Sequence, residues 1–243
     1  ISAAVLSPSL EQQVADVSPG VGSLDAAKGS AMILPNGKNL NTSFLQLAES
    51  SAAKFRVTVQ NGMLTGENMS DELTTLADSQ IRTLVRTAVT QVTSNVDREF
   101  YAANSDVIDS YRYRATLDLR TTAICRSLDG KVFKFGKGPE PPQHFGCRSR
   151  IIFITKAEAE GDVQMRGKRA ALGGLVPTGT NYGKWLQGLP KQEQDKALGG
   201  PGKGALFRKL AKKDGGDKAI SKFVSADGSE LTLKQLQRKY GAT

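Results

Sequence analysis

The chain is poor in the residues that most often carry chemistry, with one histidine and two cysteines among 243 residues. Any histidine-dependent reaction would have to run through His144, and two cysteines are too few for a secreted disulfide scaffold. No run of eighteen apolar residues occurs, and Ile1–Leu6 is too short and lacks a basic stretch, so neither a membrane span nor a secretory leader is read. The expectation is a soluble chain of intracellular origin. Aromatic residues are also sparse, at 6%. Glycine, at 25 residues, and positive charge, at a net +9, are plentiful. The charge is uneven: residues 131–243 hold 22 Lys/Arg against 10 Asp/Glu, whereas residues 1–130 hold 11 against 14. A basic half of this kind favours an anionic partner, of which nucleic acid is the usual one.

A hydrophobic content of 39% suffices for an ordinary core. Residues 1–42 carry Pro8, Pro19-Gly20 and Pro35-Asn36-Gly37 with no sustained period, which reads as an extended arm. From Phe44 the pattern turns helical. Phe44, Ala48, Ala52, Phe55, Val59 and Met63 share one face; a second helix starts near Asp71, capped by Asn68 or Ser70. A third carries the stripe Ile81, Leu84, Val85, Ala88, Val92, Val96, Phe100 and Ala103. These helices form a subdomain over 43–105. Residues 111–117 alternate as a strand, and 131–135 and 150–155 are two further strands, giving a β-rich motif over 110–155. A Gly-rich basic linker over 156–180 leads to a basic α/β tail module over 181–243, with a turn at Asp227-Gly228 and a capped helix from Thr232. The fold class is α+β.

Rare residue types converge between Ala115 and Ile152. Cys125, His144 and Cys147 have the chemistry of zinc ligands, and His-x-x-Cys can place two of them on one turn. A fourth ligand is missing, because positions 122 and 149 are Thr and Ser. A disulfide between Cys125 and Cys147 would close a loop of about twenty residues and contribute roughly 3 kcal/mol in an oxidising setting. The remaining alternative is a pair of buried thiols and a hydrogen-bonded histidine in a loop stiffened by Pro141-Pro142, and counting ligands favours it. Catalysis by a Cys–His pair, or by His144 with Asp118, has no diagnostic spacing. Asp118 and Arg120 read more simply as an ion pair or turn cap at a strand end.

Arg86-Thr87-Ala88-Val89 with Asn95, Ala115-Thr116-Leu117-Asp118-x-Arg120-Thr121, Ile124-Cys125-Arg126, Leu128-Asp129-Gly130-Lys131 and Pro141-Pro142-x-His144-x-x-Cys147-Arg148-Ser149 together resemble the phage Mu protein F-like family of minor head, or head morphogenesis, proteins. The likeness covers about residues 44–155, and Asn181-Tyr182-x-x-Trp185-Leu186 resembles the segment that often follows. The resemblance implies a minor capsid protein inside the head near the portal, made in the host cytoplasm, that supports head assembly or DNA packaging. Its implied partners are the portal protein, the major capsid or scaffolding protein and packaged double-stranded DNA, with no membrane and no enzymatic activity. A DNA-binding ejection protein is the alternative. The structural motif it implies is Asp118, Arg120, Cys125, Asp129, Gly130, Pro142, His144, Cys147 and Arg148. Many members carry further cysteines where Thr122 and Ser149 stand here, which counts against zinc as a cofactor of this chain. The basic residues expected to face DNA are Arg166, Lys168, Arg169, Arg208, Lys209, Lys212 and Lys213.

Overall fold

The computed structural model describes residues 70–161 and 167–241, with scattered positions between 33 and 57. These residues form two compact units. A larger one contains residues 104–140 and 149–241; a helical one contains the described residues up to 103 together with 141–148. The class is α+β. No helix among the described residues is long and apolar enough to cross a membrane.

In the helical unit, α1 (Ser70–Ala103) runs for 34 residues without a glycine or proline, so the two helices expected there are one. The six apolar residues of the first expected helix lie outside the described residues, as does most of the expected arm; the described positions between 42 and 57 are helical. The buried line of α1 differs from the expected stripe. Val85 is 46% exposed, whereas Leu84, Thr87, Gln91 and Ser94 are buried. Thr87 and Ser94 are polar because they meet the backbone of an irregular loop, whose carbonyl and N–H groups need partners, and Gln91 donates to Asn95 one turn on at 3.2 Å.

The larger unit is built around a three-stranded antiparallel sheet of order β2-β1-β3, with β1 Ile108–Arg114, β2 Val132–Phe133 and β3 Arg150–Thr155. Tyr111 stands opposite Phe133 on one side and Phe153 on the other. Tyr111 and Tyr113 are wholly buried. All three expected strands are present, but β1 begins and ends three residues early. It stops because the next free N–H, that of Ala115, is taken by the Asp129 carboxylate at 2.7 Å. Between β1 and β2 lies α2 (Ala123–Leu128). After β3 come α3 (Lys156–Ala159), closed by a capping box between Thr155 and Glu158, and a hairpin of β4 (Lys168–Ala171) and β5 (Gly174–Pro177). The stretch read as a linker therefore contains regular structure, and its glycines turn the hairpin, with Gly173 at φ 91°.

Five short helices follow: α4 (Tyr182–Gln187), α5 (Lys191–Ala197), α6 (Pro201–Asp214), α7 (Gly216–Ser221) and α8 (Leu233–Tyr240). The expected strand at Phe223-Val224 is a single bridge, Val224 to Glu230, around the expected turn. The cap at Thr232 is present as a box with Gln235. Tyr182, Trp185, Leu186, Phe207, Leu210, Phe223 and Leu236 form the core with Leu117 of the motif, so the tail and the motif share one interior. α4 and α7 approach so closely that a Cβ on Gly183 would lie 2.2 Å from the Gly216 carbonyl oxygen. Only glycine fits there.

Candidate functional site

The chemistry of the larger unit centres on one carboxylate. Asp129 ends α2, and its side chain is fully buried beside Gly130, whose φ of 86° turns the chain toward β2. Its oxygens accept from Ala115 N–H and Tyr182 N–H, each at 2.7 Å, and from the Arg169 guanidinium at 3.0–3.2 Å. Arg169 also donates to the carbonyls of Ala115 and Thr180. One ion pair thus ties the end of β1, the end of α2, β4 and the start of α4. Such charge-assisted bonds satisfy every lone pair of a buried carboxylate.

The Asp118 segment closes a turn. Asp118 Oδ1 accepts from Arg120 N–H at 3.0 Å and from the Thr121 hydroxyl at 3.1 Å, while the Arg120 side chain stands 4.0 Å from Oδ2. The Thr121 hydroxyl also reaches the Thr116 carbonyl, and Tyr182 donates its hydroxyl to the Asp118 carbonyl at 2.8 Å. Burial pushes the Tyr182 hydroxyl up to about 12. Cys125 is a buried free thiol on α2, 3.3 Å from the Tyr113 hydroxyl. Next to it in sequence, Arg126 donates to the Ala197 carbonyl and lies 3.5 Å from Glu230, a tie the sequence reading missed because its partners are over seventy residues away.

In the helical unit, the segment 141–148 is held by hydroxyls of α1. Ser94 donates to the Pro141 carbonyl, Thr90 donates to the Cys147 carbonyl at 2.9 Å, and the Thr87 hydroxyl accepts from Gly146 N–H at 2.8 Å. Thr87, Thr90 and Ser94 recur at helical spacing and so face one side. The Pro141–Pro142 bond is cis. His144 donates from Nδ1 to the Phe145 carbonyl at 2.8 Å. A hydrogen bond to Cys147 raises the His144 pKa above its ordinary value; burial and the neighbouring Arg148 oppose the rise, while the Phe145 carbonyl supports it. Of the three expected zinc ligands, His144 and Cys147 belong to this unit and Cys125 to the larger one.

The expected basic residues separate into three groups. Arg169 is 13% exposed and engaged by Asp129, and Arg208 is paired with Asp195 at 2.7 Å. Lys168 is exposed on β4, and Lys209, Lys212 and Lys213 are exposed on α6. Arg166 lies outside the described residues.

These arrangements define an α+β module in which the polar residues of the motif hold chain segments together. Residues 53–152 match the model of the family described as Phage Mu protein F like protein, and over this stretch the chain is similar to that family. The match is consistent with a phage head morphogenesis protein and suggests a place in the virion. No curated protein and no solved structure matches the chain.

Proposed function

We propose that the chain is a minor capsid protein of a tailed phage, seated inside the head near the portal, where it supports head assembly or DNA packaging. The match over residues 53–152 carries this reading. The engagement of Asp118 and Asp129 in internal bonds agrees with a docking module and leaves both carboxylates occupied. The proposed partners are the portal protein and the major capsid or scaffolding protein, and the role needs no cofactor. Cross-linking of isolated procapsids tests it: the expected result is links from this chain to the portal protein, and procapsids that lack the chain altogether would overturn it. A second reading, an ejection protein delivered with the genome, draws support from the basic surplus of residues 131–243. A tagged chain recovered from the infected cell rather than from the emptied particle would favour the second reading over the first.

A further inference from the structure

Within the larger unit, α6 and α8 lie side by side and run in the same direction. The Leu233 side chain at the start of α8 occupies the space that a Cβ on Gly202, near the start of α6, would need. Farther along, Lys209 Nζ donates to the Gly241 carbonyl, just past the end of α8, at 3.4 Å. The rise from Gly202 to Lys209 is about 10 Å and that from Leu233 to Gly241 about 12 Å, so the helices keep step.

Burial of Leu206, Phe207, Leu210 and Ala211 turns Lys209, Lys212 and Lys213 outward on α6. Burial of Leu236 does the same for Arg238 and Lys239 on α8. Four of these five cations stand in the last turn of their helix, where positive charge complements the dipole, so they gather at little cost. The neighbouring carboxylates are already engaged: Asp214 by Lys222, Glu230 by Lys203 and Asp195 by Arg208. Lys212, Lys213, Arg238 and Lys239 carry no ion pair among the described residues. The Asp214 carboxyl is held below its ordinary value, first by the bond from Lys222 and further by the fields of Lys222, Lys213 and Lys218, as a surplus of cations requires.

The face is basic without being apolar. Among the described residues, every large apolar side chain that is exposed lies before residue 176. A protein-binding face would carry an apolar or aromatic centre, and a single-strand-binding face would carry exposed aromatics for stacking. Tyr240, the one aromatic residue of α8, lies under Lys222, whose Nζ is 5.3 Å from the ring centroid. Cations without apolar or stacking groups fit the sugar–phosphate backbone of a duplex.

We propose that the α6–α8 face, through Lys209, Lys212, Lys213, Arg238 and Lys239, binds the phosphates of double-stranded DNA. The choice of duplex DNA as the source of phosphate rests on the head-interior reading above; the charge layout does not. Two residues that the sequence did not single out, Arg238 and Lys239, join the face, and Arg169 and Arg208 leave it.

The test is fluorescence anisotropy of the full chain with a labelled 20-base-pair duplex across a sodium chloride series. Five neutralised phosphates give a slope of log K against log salt of about −4.5. Replacing all five residues with Gln is expected to remove most of that slope and to weaken binding at least tenfold, while K168Q on the hairpin leaves both within error. Should the fivefold variant not fold, as judged by Trp185 fluorescence, the triple variant K209Q/K212Q/K213Q serves, with a slope shallower by about 2.7. A wild-type affinity indifferent to salt, or a folded variant with the wild-type slope, would overturn the proposal. Recovery of the same variants in phage heads separates the two readings. A chain that binds DNA through this face but never enters heads refutes the head role alone, and one that enters heads with its DNA affinity untouched by the substitutions refutes the face alone.

Discussion

Replacing Asp129 with asparagine removes one charge from a site where nothing else can take its place. The side chain is fully buried, and it accepts from two backbone N–H groups and from Arg169, itself 13% exposed. Asparagine keeps one acceptor oxygen but aims an NH₂ donor at the guanidinium and at either the Ala115 or the Tyr182 N–H, and it leaves the Arg169 charge without a counter-ion. Removing one partner of a buried pair costs about 3–5 kcal/mol. At about 2–4 °C per kcal/mol for a domain of this size, the melting temperature should fall by roughly 6–20 °C. Trp185, the one tryptophan of the chain, is 6% exposed in the core of the same unit, so its fluorescence follows the unfolding that matters. The companion variant Arg169→Met should be similarly costly, and the double variant should cost less than the sum of the two by about 0.5–3 kcal/mol, because each single change leaves an orphan that the other removes. A loss below about 1 kcal/mol for Asp129→Asn, or strict additivity in the cycle, would refute the account of Asp129 as the tie of this unit. Were Arg169 a DNA contact instead, Arg169→Met would lower DNA affinity and leave the melting temperature alone.

Two further outcomes follow from side chains at opposite extremes of exposure. Arg114, at the end of β1, is 8% exposed, with Nε and one terminal nitrogen unpartnered; burial, and then the charge of Arg169, lower its pKa. Arg114→Met should therefore raise stability in urea unfolding by about 1–3 kcal/mol, the cost of leaving buried donors unsatisfied, and a loss of stability would show that the guanidinium has a partner. Asp227, fully exposed in the turn before α8, is held down to about 2 by the hydroxyl of Ser225 and then by the hydroxyl and N–H of Ser229. A depressed acid contributes stability that is complete above its unfolded value of 3.8 and is lost as pH falls through about 2. Carboxyl-carbon NMR should give a midpoint near 2 for this residue, and a midpoint near 4 would mean that the turn does not close in solution.

The sequence by itself determined what depends on near neighbours. Alternation of Tyr111 and Tyr113 marked a strand; the Asp118-x-Arg120-Thr121 order marked a turn cap, Asp227-Gly228 a turn and Thr232 a helix start, and these three are present because their partners lie within five residues. The family likeness was legible for a related reason: the motif spacing is itself a local property. Tertiary structure alone decided which polar residues meet. Arg169 looked like any exposed basic residue until the fold brought it to Asp129, forty positions away. Thr87, Thr90 and Ser94 stand off the expected apolar stripe and form the side of the helix that grips residues 141–148, because an irregular loop must find hydrogen-bond donors and acceptors and an apolar stripe offers none. The same holds for the basic face. Composition told that residues 131–243 carry a surplus of positive charge, but the pairing of carboxylates with Arg169, Arg208, Lys203 and Lys222 settles which cations remain at the surface, and pairing across a fold leaves no periodic trace in sequence.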